Sequence, residues 1–326
     1  MIKQTECLPT FTNQRDDDQH LHSISLIQPI HQKQLKIQVI SHANFYTQLR
    51  LFLIVCCSVA LSLSLRASGP DTVPYPELNK SYLKSYFYDS KSFILSPAKW
   101  KTRQWIELGA ISGAGLLAYT QDEKIQKYFV GHQSKMADNL SKYIFEPIGN
   151  GIGTSIIIGG LYLGGRLANN KRLAGTSLIA AKAFVVSSVC TQAIKQLVHR
   201  HRPYQDEIPD HAKWESPFAY IHYTSFPSGH STAAFSLATV FALEYSHTIW
   251  VPALAYTLAA GTAVSRLYDN DHWVSDVVIG SAIGFVTGRF MWKQSRKGYS
   301  KVLILPSVGA NTASLAFIIR LAEPKR

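Results

Sequence analysis

Cysteine is scarce in this chain: Cys7, Cys56, Cys57 and Cys190 are the four in 326 residues, and none has the spacing of a metal site. Two of them fall in a short apolar stretch with the marks of a targeting segment, whose removal would leave Cys190 alone, so a disulfide framework is not expected. Negative charge is short as well, 21 Asp and Glu against 33 Lys and Arg, for a net charge of +12. That balance suits an anionic partner: phosphate, an acidic lipid surface or nucleic acid. Nucleic acid is set aside, because the cations lie between apolar runs rather than in one basic stripe, and no nucleic-acid motif is present. A carboxylate-rich metal site is also missing, so neither a metal nor another cofactor is expected.

What is present is unevenly spread. Residues 1–49 are polar and rich in Gln, His and Asp, and read as a disordered extension. Residues 50–69 open on Arg50, run through LFLIVCCSVALSLSL and exit through Ala67-Ser68-Gly69, as a signal peptide or a retained anchor does. As a helix that run is about 21 Å long, short against a hydrocarbon core of about 30 Å. Val55 before Cys56 makes a poor lipoprotein site. Residues 70–149 read as a lead-in with first helices: aromatic and polar to Lys101, apolar from Trp105 to Tyr119, then amphipathic and mostly exposed to Asn150. Further apolar helices are expected at Ile152–Leu167, Leu173–Val198, Ser231–Tyr245, Trp250–Val264 and Trp273–Trp292. Their many Gly, Ala and Ser residues suit close packing, giving an all-α, six-helix bundle. After Trp292 comes a basic linker, then VLILPSV and SLAFIIRL about Gly309-Ala310-Asn311, a short β-hairpin-like tail over 293–326.

Most of these helices are shorter than the roughly 20 residues a span prefers, and Glu107, Lys182 and Asp276 put charges in them. A soluble periplasmic bundle therefore stays open beside a membrane one. Arg166, Lys171 and Arg172 follow one helix, and Lys293, Arg296, Lys297 and Lys301 follow another. If the last five helices span, both groups share one side, as the positive-inside rule expects. The expected location is then a bacterial-type inner membrane.

Three clusters carry chemistry, at one end of this bundle. In Lys195-Gln-Leu-Val-His-Arg-His-Arg202-Pro203 two cations stand seven apart, about two helical turns, so both point one way at a helix end. They suit a phosphate dianion, although cations favour a helix C-terminus in any case. In Phe226-Pro227-Ser228-Gly229-His230, Ser228 is a natural N-cap, and the free N–H groups after it form an anion site that Gly229 leaves open to close approach. His230 is placed to deliver a proton; an ordinary capped helix start with an incidental His is the plainer alternative. In Ser265-Arg266-x5-His272-x3-Asp276, His272 and Asp276 stand at i and i+4, within side-chain reach. A carboxylate on one imidazole nitrogen leaves the other as a nucleophile, and a structural pair would look the same. His199, His201, Asp269 and Asp271 lie close in sequence and are second-tier candidates.

Taken together, Lys-x6-Arg-Pro, Pro-Ser-Gly-His and Ser-Arg-x5-His-x3-Asp make the chain resemble the type 2 phosphatidic acid phosphatase superfamily over about residues 150–292. The superfamily joins lipid phosphatases, bacterial acid phosphatases and vanadium haloperoxidases. The resemblance implies a metal-independent phosphoric ester hydrolase. His272 would form a phosphohistidine, Asp276 orient it, and His230 protonate the leaving alkoxide. Lys195, Arg202, Ser228, Gly229 and Arg266 would bind the phosphate. The expected partners are a phosphorylated lipid and a membrane, with the site facing the periplasm. A soluble acid phosphatase, a lipid phosphotransferase and a vanadium haloperoxidase remain as alternatives.

Overall fold

Gly280, Gly284 and Gly288 recur every four residues, so a helix over them presents one smooth face. The computed structural model describes residues 74–217 and 224–296 and the two strands 302–309 and 312–319. The expected extension and targeting segment lie outside the described residues. Ten helices can be labelled: α1 (Lys80–Ile94), α2 (Thr102–Tyr119), α3 (Asp122–Val130), α4 (Lys135–Leu140), α5 (Glu146–Gly149), α6 (Gly151–Leu167), α7 (Lys171–Val198), α8 (Gly229–Glu244), α9 (Trp250–Tyr268) and α10 (Val274–Ser295). A 3₁₀ turn, Ser96–Lys99, follows α1, and a π turn, Ser141–Phe145, joins α4 to α5. Strands β1 (Val302–Gly309) and β2 (Thr312–Ile319) pair antiparallel, Val302 opposite Ile319.

α8 is the centre. Its small residues are buried on nearly every face, and it packs against α7, α9 and α10. The glycine face of α10 makes the tightest of these seams. A Cβ on Gly280, Gly284 or Gly288 would stand 2.4, 2.3 or 2.7 Å from the backbone oxygens of Ser228, Thr232 and Ser236. Only glycine permits that approach. Thr232 Oγ1 then donates across the seam to Gly280 O at 2.9 Å, and Thr191 of α7 reaches Thr232 at 3.2 Å. One turn before Gly280, the Asp276 carbonyl accepts from Ser228 N at 3.0 Å. The seam thus sets the start of α8 against the start of α10.

The six expected stretches are helical, but six helices do not complete the described fold. The lead-in holds α1, which supplies Asp89 and Ser85 to the buried Lys182 of α7, both at 2.6 Å. A charge deep in an apolar helix needs a partner, and α1 brings it. The stretch 121–150, expected to be mostly exposed, breaks into short helices that bury Asp122, Ser141 and Ile148.

Candidate active site

The first cluster departs from its expected shape. α7 stops at Val198 because His199 takes a left-handed conformation, φ 43°. Arg200 then bridges to Trp214 in extended pairing. Lys195 and Arg202 therefore do not ride on one continuous helix; a loop brings Arg202 back. Lys195 is buried and donates to the carbonyls of Thr224 and, at 3.4 Å, Ser225, the residues that lead into α8. Arg202 lies 3.6 Å from Asp271.

Ser228 is the N-cap of α8, its hydroxyl accepting from Ser231 N at 3.5 Å and from Ser231 Oγ at 3.1 Å. Nothing stands within 4 Å of where a Gly229 Cβ would point, so space is open beside the first amides of α8. His230 follows, its Nε2 buried and without a protein partner. Contacts link the three clusters: Lys195 reaches Ser225 O, Ser225 holds Asp276 beside His272, Ser228 N donates to Asp276 O, and Asp271 joins Arg202 to Arg266.

Arg266, 3% exposed at the end of α9, donates to Asp269 at 2.6 Å and Asp271 at 3.0 Å. Asp271 thus touches both guanidiniums, Arg266 and Arg202. His272 Nδ1 faces Asp276 Oδ2 at 3.5 Å, close enough for charge coupling but without a formed hydrogen bond. Burial holds the His272 imidazole at about 4, well below its usual range; Asp276 pulls it upward, and Lys195 and Arg202 push it further down. At neutral pH the ring is therefore uncharged. Burial acts on Asp271 the other way and raises its carboxyl above the usual range, although Arg266 and Arg202 oppose this.

Sequence reasoning missed Arg200, Asp122 and Ser225. Asp276 Oδ1 accepts from Arg200 at 2.5 Å, while Oδ2 accepts from Ser225 Oγ at 2.5 Å and Trp273 N at 3.0 Å. Arg200 in turn donates to Asp122 at 2.7 Å. The signal was there: a carboxylate on an apolar helix next to a histidine still needs a cation, and Arg200 lies inside the first cluster. Of the second-tier candidates, His201 is clamped between Asp206 at 2.8 Å and Glu215 at 3.1 Å, tying down the loop after Arg202. Among the described residues, Glu123, Asp210 and His211 form the one grouping with metal-ligand proximity, and none of the three belongs to the predicted clusters.

Residues 175–299 match the model of the PAP2 superfamily. Over that stretch the chain is similar to the PAP2 superfamily. Lys195 through Asp276 all fall inside the matched PAP2 stretch, whereas Asp122 lies outside it. The lipid A 1-phosphatase of Porphyromonas gingivalis is 48% identical over 65 residues, 20% of this chain and 15% of that protein. YbjG of Escherichia coli K12 is 29% identical over 119 residues, 35% of this chain and 55% of that one. The chain therefore spans at most about half the length of either PAP2 relative. The crystal structure of Aquifex aeolicus LpxE aligns at 20% identity and a TM-score of 0.41, over 53% of this chain and 94% of that one.

Proposed function

We propose that this protein hydrolyses a phosphate monoester or diphosphate on a lipid, through a phosphohistidine on His272. The observation that carries this is a buried His272 set against Asp276, with Arg202 and Arg266 joined through the neighbouring Asp271 and Lys195 donating to the residues that lead into α8. His272 Nδ1, on the Asp276 side, keeps the proton, so Nε2 attacks phosphorus. The bound phosphoryl dianion offsets the cations around His230 and draws a proton onto it; as the P–O bond to the lipid breaks, His230 gives that proton to the leaving oxygen. The three cations, the Ser228 hydroxyl and the Gly229 amide hold the non-bridging oxygens as charge builds on them. Water then cleaves the phosphohistidine with His230 as base, which restores both rings. The reaction routes no step through a metal.

A lipid substrate is supported by the name of the Porphyromonas relative, a lipid A 1-phosphatase, and by the surface. Leu117 of α2, Leu163 of α6 and Val189 of α7 are 71%, 60% and 63% exposed, apolar groups on three helices that a hydrocarbon phase would cover. α7 and α10 are long and apolar enough to cross a membrane. Lys171 and Arg172 open α7 and Arg296 follows α10, at the ends remote from His272. By the positive-inside rule the site then faces the periplasm.

The test is phosphate release from phosphatidic acid, lipid A and a polyprenyl diphosphate in mixed micelles, with and without EDTA, beside an acid-labile, base-stable phosphoprotein trap. Wild-type protein should release phosphate with EDTA present and trap label, and His272→Ala should do neither. Equal release by both proteins would refute the assignment, and abolition by EDTA would refute the metal-free route.

A further inference from the structure

Arg200 is 0% exposed, and so are the side chains of its two carboxylate partners. A guanidinium has five N–H donors, and here each has an acceptor. Nε donates to His211 O at 3.1 Å, Nη1 to Ser275 Oγ at 2.8 Å and Asp276 Oδ1 at 2.5 Å, and Nη2 to Asp122 Oδ2 at 2.7 Å and His211 O at 2.8 Å. The rings of Trp214, Tyr119 and Trp273 surround it, at 4.8, 5.2 and 5.5 Å from Cζ. Asp122, the first residue of α3, also accepts from Ser275 N at 2.9 Å and Ser275 Oγ at 2.7 Å, so it caps the start of α10 as well.

Such an arrangement is a poor way to add stability alone, because the desolvation of buried charges offsets most of their attraction. What it does is fix one carboxylate. Oδ1 of Asp276 is turned to Arg200, and Oδ2 is held by Ser225 and Trp273 N on the side that faces His272 Nδ1. We propose that Arg200, itself held by Asp122, is a positioning residue that sets the orientation and effective charge of Asp276, and so aims the His272 ring. This rests on the phosphohistidine reading above, and it makes the nucleophile depend on α3, a helix outside the matched PAP2 stretch.

The charged and titratable groups that act on His272 are Asp276 on α10, Lys195 on α7, Arg202 in the loop and His230 on α8, and Arg266 of α9 accepts from His272 N through its carbonyl at 3.3 Å. Changing Arg200 or Asp122 removes none of these groups; it alters how Asp276 is held and how strongly it is neutralised. In Arg200→Gln the Asp276 carboxylate loses its cation and favours the imidazolium more, so the acid limb of kcat/KM rises above about 4. In Asp122→Asn, Arg200 is shared with one carboxylate fewer, neutralises Asp276 more fully, and the limb falls. An off-aim nucleophile loses turnover rather than binding, so kcat should drop about 10- to 100-fold with KM within about twofold.

The experiment uses the full chain in detergent with p-nitrophenyl phosphate, beside His272→Ala. A drop in kcat at constant KM, with the limb moving in opposite directions in the two variants, supports the positioning role. A kcat within twofold of wild type in both overturns it, as does a drop that follows the loss of folded protein with the limb unmoved. Asp122→Asn is isosteric and decides the matter if Arg200→Gln fails to fold. If His272→Ala stays active, the phosphatase reading itself falls; if it is dead while Arg200→Gln and Asp122→Asn behave as wild type, only the positioning role does.

Discussion

Two of the buried ion clusters among the described residues, one at Lys182 and one at Arg200, differ in what they leave unsatisfied. In the first, Lys182 of α7 donates to Asp89 and Ser85 of α1 and lies over the rings of Tyr82 and Tyr86, at 5.3 and 5.7 Å. Tyr82 continues the chain of bonds to Leu178 O at 2.9 Å. That cluster is closed, and it does one thing: it fastens α1 to α7. In the second, Arg200 is just as saturated, but the groups beyond it are not. His272 Nδ1 and His230 Nε2 are buried without a protein hydrogen-bond partner, among cations that gather beside open space at Gly229. Buried polar groups in folded proteins are overwhelmingly paired, so the unpartnered His230 Nε2 beside that open space fits a group kept for a ligand, while His272 Nδ1 is turned to Asp276. The closed network fastens two helices, and the incomplete one beside a saturated support is where the proposed chemistry would take place.

The sharpest way to break that comparison is to remove one group from each cluster. His230→Ala should fold normally and lose about 10²- to 10⁴-fold in turnover on an alkyl phosphate. In kcat/KM, which ends at phosphohistidine formation, the loss should be smaller on p-nitrophenyl phosphate, whose leaving group needs no proton. An equal loss on both esters would remove His230 from the role of acid. Lys182→Met should do the reverse. It leaves Asp89 buried and unpaired, costing about 3–5 kcal/mol in stability, with kcat per folded molecule unchanged. Adding Asp89→Leu should recover most of that loss, since an apolar pair of similar volume avoids the desolvation. Denaturant titration checks it; a lower kcat in the folded fraction would show that the two clusters are coupled.

The difference between the clusters also explains what the sequence did and did not disclose. The expected site residues Lys195, Arg202, Ser228, Gly229, His230, Arg266, His272 and Asp276 could be proposed from sequence because the chemistry that suggests them is local: a cap, an i to i+4 pair, a cation before a proline. The helices over Leu173–Val198 and Trp273–Trp292 were legible from apolar runs, and their glycine and alanine content pointed to close seams. The supports were not legible, because they are long-range. Asp122 meets Arg200 across 78 residues, and Asp89 meets Lys182 across 93. No periodicity links such partners. The end of α7 was misjudged for a different reason: Pro203 marks where a helix cannot continue, but His199 turns left-handed four residues earlier to send Arg200 inward.

The smallest expected effect concerns Asp271, which stands where neither cluster's logic fully applies. It is partnered, yet its partners are the two guanidiniums assigned to the substrate, Arg266 at 3.0 Å and Arg202 at 3.6 Å. A phosphoryl group must share or displace that carboxylate. If Asp271 competes with the ligand, Asp271→Asn should bind orthovanadate about tenfold more tightly, a difference of about 1.4 kcal/mol. The pH dependence follows with a definite sign. Burial raises the Asp271 carboxyl, so acidification neutralises it above the usual carboxylate range and frees both cations. Relative to Asp271→Asn, wild-type affinity should therefore improve as pH falls, and the two should converge once Asp271 is protonated. If Asp271 instead holds the guanidiniums in their binding pose, the asparagine variant will bind more weakly at every pH. Calorimetry between pH 4 and 8 separates the two, and weaker binding would move Asp271 from the incomplete part of the site to its saturated support.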